Sequence, residues 1–277
     1  MTRDPVAVDW VAARGEKWAA QLERMEAMLT PIDEPLLAAL QLSSPCAIAE
    51  VGCGGGGTAL KLAQQAPRAS AVHGFDLSPT LIQLARARAA APGLSFEVAD
   101  MATAAPKQLY ERLLSRFGVM FFDDPPAAFA NLARWLAQGG RFAFAVWGEL
   151  AENPWFTGVR EVVAQVIDLP PSEPQAPGPF RYADPRSLLT LLERSGFAGV
   201  EVQEWQGPLA IGGGLPAPEA AEFALAAFSS FSEELAKAGQ AAVQQAHQLL
   251  AARFSELEVE GVVRLDACVR VFTGGRA

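Results

Sequence analysis

A cluster of glycines that directly follows a short apolar segment constrains this chain more than any other feature. Residues 46–57 read C-A-I-A-E-V-G-C-G-G-G-G, which predicts a strand over Ala47–Val51, then a loop and a helix. Such a loop exposes backbone N–H groups at a helix N-terminus, and glycine lets a ligand approach the main chain closely. The spacing Gly52-x-Gly54-x-x-Gly57 satisfies the fingerprint of nucleotide-binding loops. Four adjacent glycines satisfy many patterns, so a flexible loop is the alternative.

Two acids stand where the next two predicted strands end. Asp76 ends the segment 70–76, and Asp100 follows the segment 94–99, with a predicted helix between the strands. Strands that alternate with helices indicate βαβ units, a parallel sheet and right-handed crossovers. An acid about 20 residues beyond such a loop is placed to accept hydrogen bonds from ribose hydroxyls, because a carboxylate offers two acceptor oxygens. A surface acid at a strand end is the alternative for Asp76, and a helix N-cap is the alternative for Asp100.

Together with a G-G-R turn at 139–141, these features resemble the class I S-adenosylmethionine (SAM) methyltransferases. The first loop of that family has the form E/D-x-G-x-G-x-G, which residues 50–56 fit, and the resemblance covers about residues 16–271. The resemblance implies an α/β fold, a Rossmann-like doubly wound sheet of seven mostly parallel strands with the last strand antiparallel, plus helical cap and lid insertions. The segments 115–125, 139–147 and 152–156 look like the ubiquinone/menaquinone-biosynthesis-like branch.

The resemblance also implies SAM as the cofactor and a set of residues that hold it. Asp100 would accept a hydrogen bond from the adenine amino group, and the backbone beside it would hold the ring edge. The implied cofactor-binding residues are Glu50, Gly52, Cys53, Gly54, Asp76, Leu77, Asp100, Met101 and Ser115. The candidates for contact with the methyl acceptor lie near the predicted strand ends and in the predicted caps: Trp18, Arg116, Phe117, Asp123, Trp147 and Tyr182.

The sequence identifies no catalytic base. SAM carries a methyl group that is already activated, so the protein needs to align the acceptor and exclude water. Histidine is the commonest general base, but the chain has only His73, predicted inside a strand, and His247, predicted on an exposed helix face. The pair Asp123-Asp124 has no third ligand at a suitable spacing, so we expect no metal site.

We expect the 277 residues to form a single domain. Its predicted parts are a helical cap (1–40), a cofactor-binding core (41–148), a cap insertion (149–182), a helix and the sixth strand (183–211), a helical lid (212–258) and the last strand (259–277). Predicted helices cover Glu16–Leu29, ended by Pro31, and Leu36–Leu40, opened by Pro35. The later predicted strands are Tyr110–Leu114, where Arg112 interrupts the apolar pattern, and Arg141–Trp147, Val200–Trp205 and Gly261–Thr273.

Apolar faces on the cap and lid segments predict a cover over the carboxyl ends of the strands. The first insertion carries aromatic residues among its prolines, and the second has helical faces that include Phe223 and Phe231. We expect these segments to enclose the acceptor above Phe117, with Gly212-Gly213-Gly214 as a hinge. Because pockets are usually lined by apolar groups, a small and largely apolar acceptor is predicted.

Composition excludes several classes of partner. The net charge of −9 argues against a nucleic-acid partner, since wrapping a phosphate backbone needs a basic surface. We find no apolar run long enough for a membrane span, no signal-peptide core and no metal-ligand spacing among the three cysteines, which favours a reduced, cytoplasmic protein. A homodimer stays open. Two other functions also stay open, an NAD-dependent oxidoreductase and a non-catalytic SAM-binding module.

Overall fold

The computed structural model describes residues 13–169, 176–227 and 229–276. Three prolines of the predicted cap insertion (Pro170, Pro171 and Pro174) and one residue of an apolar face in the predicted lid (Phe228) lie outside these residues. The α-helices are α1 (Ala13–Ala20), α2 (Leu22–Ala38), α3 (Gly57–Gln65), α4 (Pro79–Arg88), α5 (Pro125–Trp135), α6 (Pro154–Val163), α7 (Pro185–Arg194), α8 (Ala217–Ala227), α9 (Ser229–Ala238) and α10 (Gln240–Ser255). The strands are β1 (Ala47–Val51), β2 (Ala71–Asp76), β3 (Leu94–Val98), β4 (Tyr110–Arg116), β5 (Leu136–Trp147), β6 (Phe197–Ala210), β7 (Glu258–Val259) and β8 (Val262–Arg276).

The strands form one mixed sheet in the order β3-β2-β1-β4-β5-β8-β6. The first five strands in this order pair in parallel. β8 runs antiparallel between β5 and β6, and the short β7 pairs with β8. The predicted α/β fold with seven mostly parallel strands is therefore confirmed. The strand order reverses between β1 and β4, and open α/β sheets bind ligands at the carboxyl ends of the strands at such a point.

Burial explains why the central strands read as continuous apolar runs. The six residues 142–147 of β5 are all buried, as expected for a strand covered by helices on both faces. The rings of Phe142, Phe144 and Phe272 are fully buried where β5 and β8 pair. The core therefore extends through the sheet into the helices on both of its faces.

The predicted proline boundaries in the N-terminal helices are wrong. Pro31 and Pro35 both lie inside α2, and the chain breaks at Gln21 instead. A proline in a helix interior removes a hydrogen bond and costs about 3 kcal/mol. Residues on both sides of Pro31 are buried on the core face of α2, among them Met28, Ile32 and Leu36, so tertiary burial outweighs that cost.

Several predicted strands are longer in the structure than their sequence patterns suggest. β4 continues to Arg116, β5 begins at Leu136, and β6 spans fourteen residues. Arg112 fits into β4 because its Nε atom donates a hydrogen bond of 2.7 Å to the carbonyl oxygen of Leu40, just beyond α2. A charged side chain in a strand is thus accommodated by free carbonyl groups at a helix end.

The predicted lid contacts both of the other predicted cover segments. Lys17 of α1 forms an ion pair of 2.6 Å with Glu233 of α9. The ring of Phe156 of α6 lies 5.0 Å from the ring of Phe231, also on α9. Gly213 has a φ of +83°, and a Cβ there would lie 2.6 Å from the Cβ of Ala27 in α2. Close packing against α2 therefore accounts for glycine at Gly213. Of the helices in the described ranges, none is long and apolar enough to cross a membrane.

Candidate functional site

The glycine loop joins β1 to the N-terminus of α3 and follows the edge of β2. The backbone N–H of Cys53 donates a hydrogen bond of 3.0 Å to the carbonyl oxygen of Phe75, which extends the contact between the two strands. Gly54 has a φ of +54° and Gly56 a φ of +82°, conformations that L residues with side chains adopt rarely. The loop can turn this tightly only because these positions are glycine.

A second close approach fixes the loop to the carboxyl end of β4. A Cβ on Gly52 would lie 2.9 Å from the Cα of Gly118, so the two glycine backbones are nearly in contact. The Ser115 hydroxyl donates a hydrogen bond of 2.8 Å to the carbonyl oxygen of Val51 and accepts one of 3.2 Å from the N–H of Gly118. Ser115, a predicted cofactor residue, is fully buried and joins the two loops.

Asp76 lies at the end of β2, beside the loop. Its Oδ2 atom accepts a hydrogen bond of 2.9 Å from the N–H of Gly54, and its Oδ1 atom accepts one of 2.8 Å from the N–H of Ser78. Burial raises the pKa of Asp76, and these backbone donors oppose that rise. Each carboxylate oxygen has a further lone pair, so Asp76 can hold the loop and still accept from a ligand.

Glu50 is a buried acid without a hydrogen-bond partner for one of its oxygens. Only 1% of the residue is exposed, and Oε2 has no partner within the described part of the chain. Burial raises the pKa of Glu50 well above its usual value; Arg116 opposes the rise, and Asp33, Asp76 and Glu26 add to it. An unsatisfied buried oxygen is costly, which makes it a candidate for contact with a ligand.

Arg116 was predicted to contact the acceptor, but its guanidinium binds inside the protein. Its Nη1 atom donates a hydrogen bond of 2.8 Å to Asp33 of α2, which is 4% exposed. Lys61 and Thr58 of α3 also contact the Asp33 carboxylate, at 2.5 and 3.2 Å. The network ties α2, α3 and β4 together directly behind the glycine loop.

A second acid from α2 caps the helix that follows the loop. The Glu26 carboxylate accepts a hydrogen bond of 3.1 Å from the N–H of Gly57, the first residue of α3. Arg88 binds the same carboxylate through two nitrogen atoms, at 2.9 and 2.7 Å, and also the carbonyl oxygen of Gly55, at 2.8 Å. Negative charge at a helix N-terminus is favourable, so Glu26 stabilises the loop at its helical end.

Asp100 caps the turn that follows β3, and because residues 101–103 form a turn and not a helix, the helix N-cap alternative is wrong. Its carboxylate accepts hydrogen bonds of 3.0 Å from the N–H of Ala102 and 2.8 Å from the hydroxyl of Thr103. The carbonyl oxygen of the buried Met101 accepts a hydrogen bond of 2.9 Å from the side chain of Asn131. The structure thus holds the turn after β3 rigidly. The predicted contact of Asp100 and Met101 with adenine stays a prediction, as does the predicted contact of Leu77 with the cofactor.

The N-terminal helix α1 lies over the glycine loop. The indole Nε1 atom of Trp18 is 3.7 Å from the place that a Cβ on Gly54 would occupy. Glu16 accepts a hydrogen bond of 2.6 Å from the Thr80 hydroxyl at the start of α4, and Arg14 lies over the ring of Phe121. These contacts hold α1 across the end of the sheet where the cofactor site is predicted.

An aromatic cluster extends from the carboxyl ends of β4 and β5 into the cap helices. The rings of Phe117 and Trp147 are stacked at 4.2 Å, and Trp155 lies 4.4 Å from Trp147. Phe156 and Phe180 continue the cluster at 4.8 Å from each other. Phe117 has a φ of +66°, which is rare for a bulky residue. Such strain occurs often at functional sites. Phe117, which directly follows β4, is therefore a candidate residue of the site.

Tyr182 has the second unpartnered buried oxygen, and its hydroxyl has no hydrogen-bond partner within the described ranges. Burial raises the pKa of Tyr182 to about 12. The segment that contains Tyr182 is bound to the loop after β4. The N–H of Gly178 donates a hydrogen bond to the carbonyl oxygen of Met120, and the Arg181 guanidinium donates one to the carbonyl oxygen of Phe122. The Tyr182 ring itself packs 6.2 Å from the ring of Phe129 in α5.

His73 contacts a side chain within the sheet, and His247 contacts the backbone. His73 is 2.9 Å from the hydroxyl of Tyr110, at the start of β4, which fits the predicted structural role. His247 contacts the carbonyl oxygen of Pro218 at 3.1 Å and is only partly exposed. Asp124 caps α5, because its carboxylate accepts a hydrogen bond of 3.0 Å from the N–H of Ala127.

Sequence reasoning missed three residues that shape the loop: Glu26, Asp33 and Gly118. The two acids lie seven positions apart on α2, a spacing that places them on one helix face, but nothing in the sequence said that this face meets the loop. Gly118 had a visible signal, because it is a glycine four residues after the predicted strand end at Leu114, and glycine often marks a close backbone approach. A groove of about 840 Å³ lies between α2 and α3, and Asp33 and Lys61 are among the residues that line it.

Residues 48–140 match a protein family described as a methyltransferase domain. A trans-aconitate 2-methyltransferase of Methylobacterium nodulans is 33% identical over 52% of this chain and 52% of the relative. The aklanonic acid methyltransferase DauC of Streptomyces sp. (strain C5) is 33% identical over 35% of this chain and 46% of the relative. The chain thus spans about half the length of the curated relatives it matches.

Solved structures show the same fold at low sequence identity. The phosphoethanolamine N-methyltransferase 2 of Haemonchus contortus, solved with S-adenosyl-L-methionine, has a TM-score of 0.54 and is 17% identical. The match covers 89% of this chain and 52% of that structure. The chain is thus similar to methyltransferase domains in sequence over residues 48–140, and over most of its length it has the fold of a solved methyltransferase.

Proposed function

We propose that this protein is a SAM-dependent methyltransferase that acts on a small, largely apolar acceptor. The observation that carries the proposal is the unpartnered Glu50 oxygen, buried beside a glycine loop where the strand order reverses. An acid that faces this loop suits a cationic cofactor, and SAM has both a sulfonium and an ammonium group. The sequence match over residues 48–140 supports the same conclusion.

The residues around the loop have the donors and acceptors that SAM needs. Asp76 retains acceptor capacity for ribose hydroxyls, and Gly54 leaves its backbone open to close approach, whereas the space at the Cβ side of Gly52 is filled by Gly118. The side chain of Cys53 is buried beneath the loop, with its Sγ atom 3.7 Å from the carbonyl oxygen of Gly54, and the predicted contact of Cys53 with the cofactor stays a prediction. When bound, SAM supplies an activated methyl group; the protein binds the cofactor, orients the acceptor and excludes water.

The aromatic cluster supports an apolar acceptor. Phe117, Trp147 and Trp155 form a continuous wall at the ends of β4 and β5. The buried arginines nearby are already bound, Arg116 to Asp33 and Arg270 to Glu152. Because these pairs engage both guanidinium groups with acids, we propose an apolar rather than an anionic acceptor. Tyr182 is proposed as a polar contact for the acceptor.

The sheet topology disfavours the NAD-dependent alternative. Dinucleotide-binding Rossmann sheets have the order 3-2-1-4-5-6, whereas here the antiparallel β8 lies between β5 and β6. Only a methyl-transfer assay can distinguish a non-catalytic SAM-binding module from a methyltransferase. The relation to the ubiquinone/menaquinone-like branch, the homodimer and the cytoplasmic location stay predictions.

Transfer of a labelled methyl group tests the proposal. The purified protein is incubated with SAM that carries a trideuterated methyl group and with fractions of small apolar metabolites, which are then analysed by mass spectrometry. We expect a labelled product that is absent with the Gly54→Val variant, because a side chain there would occupy the cofactor site. Binding of SAM without a labelled product in any fraction would favour the non-catalytic module.

A further inference from the structure

The charge around Glu50 is unbalanced in the ligand-free protein. Three carboxylates raise the pKa of Glu50 through their charge: Asp33 and Glu26 from α2, and Asp76 from β2. Arg116 of β4 is the cation that acts against them. Arg116 is already bound to Asp33, and Lys61 binds the same carboxylate. The cations that face this region are thus engaged by another acid.

Burial adds to this imbalance. Glu50 is 1% exposed, and Oε2 has no partner in the part of the chain that the structure describes. A buried carboxylate with an oxygen that no donor or cation satisfies is favoured in its protonated, neutral form. Burial is also the largest cause of the raised pKa of Glu50. In the free protein the acid is therefore neutral at a pH at which an exposed glutamate is ionised.

We propose that a cationic group of the cofactor replaces this proton, so that SAM binding releases a proton from Glu50 to the solvent. The proposal rests on the proposed function, because it takes SAM as the ligand of the glycine loop. The cation is either the ammonium group, which SAM shares with its product S-adenosylhomocysteine, or the sulfonium group, which the product lacks. SAM affinity then rises with pH, by at most about tenfold per pH unit for one proton.

Calorimetric titration in buffers of different ionisation enthalpy measures the proton directly. SAM is titrated into the protein in phosphate, PIPES and imidazole at about pH 6 and about pH 7, where the cofactor's own amino group, with a pKa of about 8, stays protonated. The slope of the observed enthalpy against the buffer enthalpy gives the number of protons released. We expect a positive release, up to about one proton per SAM.

Two variants identify the source of the proton. Glu50→Gln keeps the shape of the side chain but has no titrating proton, so its release should fall to zero. Glu23→Gln is the matched control, since Glu23 is an exposed acid on α2, and its release should equal that of the wild type. Asp33→Asn is a second test that does not depend on the folding of Glu50→Gln. It removes a neighbouring negative charge and frees Arg116, so the release at about pH 7 should decrease.

Titration with S-adenosylhomocysteine identifies which cationic group of SAM replaces the proton. Equal release with both ligands assigns the ammonium group, and release with SAM alone assigns the sulfonium group. If SAM binds and the wild type and Glu50→Gln give the same slope at both pH values, the inference is overturned while the proposed function stands. If SAM does not bind to the wild type at all, the proposed function fails as well.

Discussion

Asp76 stabilises the glycine loop beside the predicted cofactor site, since both of its carboxylate oxygens accept hydrogen bonds from backbone N–H groups. The sequence predicted this acid from its position at a strand end, and Glu50 from the loop motif. It did not predict Asp33 or Glu26, because their contact with the loop depends on how α2 packs. The sequence could predict site residues that lie at a strand end, but not residues that reach the loop from a separate helix.

Replacement of Asp76 should weaken SAM binding strongly. We expect Asp76→Ala to cost on the order of 2–3 kcal/mol, because the ribose hydroxyls lose a charged acceptor. The N–H of Gly54 loses its acceptor too, so part of the effect comes from the loop. Calorimetry on a variant with a native circular dichroism spectrum measures the change. Wild-type affinity in such a variant would remove Asp76 from the cofactor site.

Glu50 should make the ligand-free protein less stable as the pH rises. Its pKa is raised in the folded state, so the folded protein binds more protons than the unfolded chain above the usual glutamate pKa of about 4.3. Stability is then lost as pH rises through the folded-state pKa. Glu50→Gln should therefore raise the melting temperature more at about pH 8 than at about pH 5. An equal shift at both pH values would contradict the raised pKa.

At the scale of elements, α2 shows where local sequence rules give way to packing. Proline predicted a helix end at Pro31, yet α2 continues because its core face is buried on both sides of that residue. The bounds of β1, β2 and β3 are close to those predicted; β1 is largely buried and β2 half-buried, whereas only Phe96 of the edge strand β3 is buried. β6 is longer than predicted because it pairs with β8 along its length at the sheet edge, where polar side chains are tolerated.

The Asp33 network should be a main support for α2 against the sheet. Asp33→Ala leaves the buried Arg116 guanidinium without its acid, and loss of one partner of a buried pair costs about 3–5 kcal/mol. Denaturation with urea measures the change in the free energy of unfolding. Glu97→Ala, which breaks an exposed pair with Lys107, is the control and should change little. Equal effects of the two variants would show that the Asp33 network is not a main support.

At the scale of the whole molecule, the cover segments form one connected layer over the carboxyl ends of the strands. α1 reaches the glycine loop through Trp18, and α9 contacts both α1 and α6. The apolar faces of these segments predicted that they pack together. The sequence could not show which helices meet, because contacts such as Lys17–Glu233 join residues more than two hundred positions apart.

This layer should become more protected when the cofactor site is filled. We expect hydrogen exchange with S-adenosylhomocysteine to slow in α1 and in at least one of α6 and α9, as well as at residues 50–57, because bound cofactor would lie beneath the cover. Protection confined to the glycine loop and the strand ends would mean that these helices only pack on the core or form an interface between subunits.

The central claim, that the glycine loop is a SAM site, is tested most directly by titration of the wild type and Gly54→Val with SAM and with NAD. Gly54 has a positive φ, so Gly54→Ala is added as a milder variant, with an expected strain of about 1–2 kcal/mol. The account predicts that the wild type binds SAM and not NAD, that Gly54→Ala binds SAM more weakly, and that Gly54→Val, while folded, does not bind it. Binding of NAD, or wild-type SAM affinity in folded Gly54→Val, would contradict it.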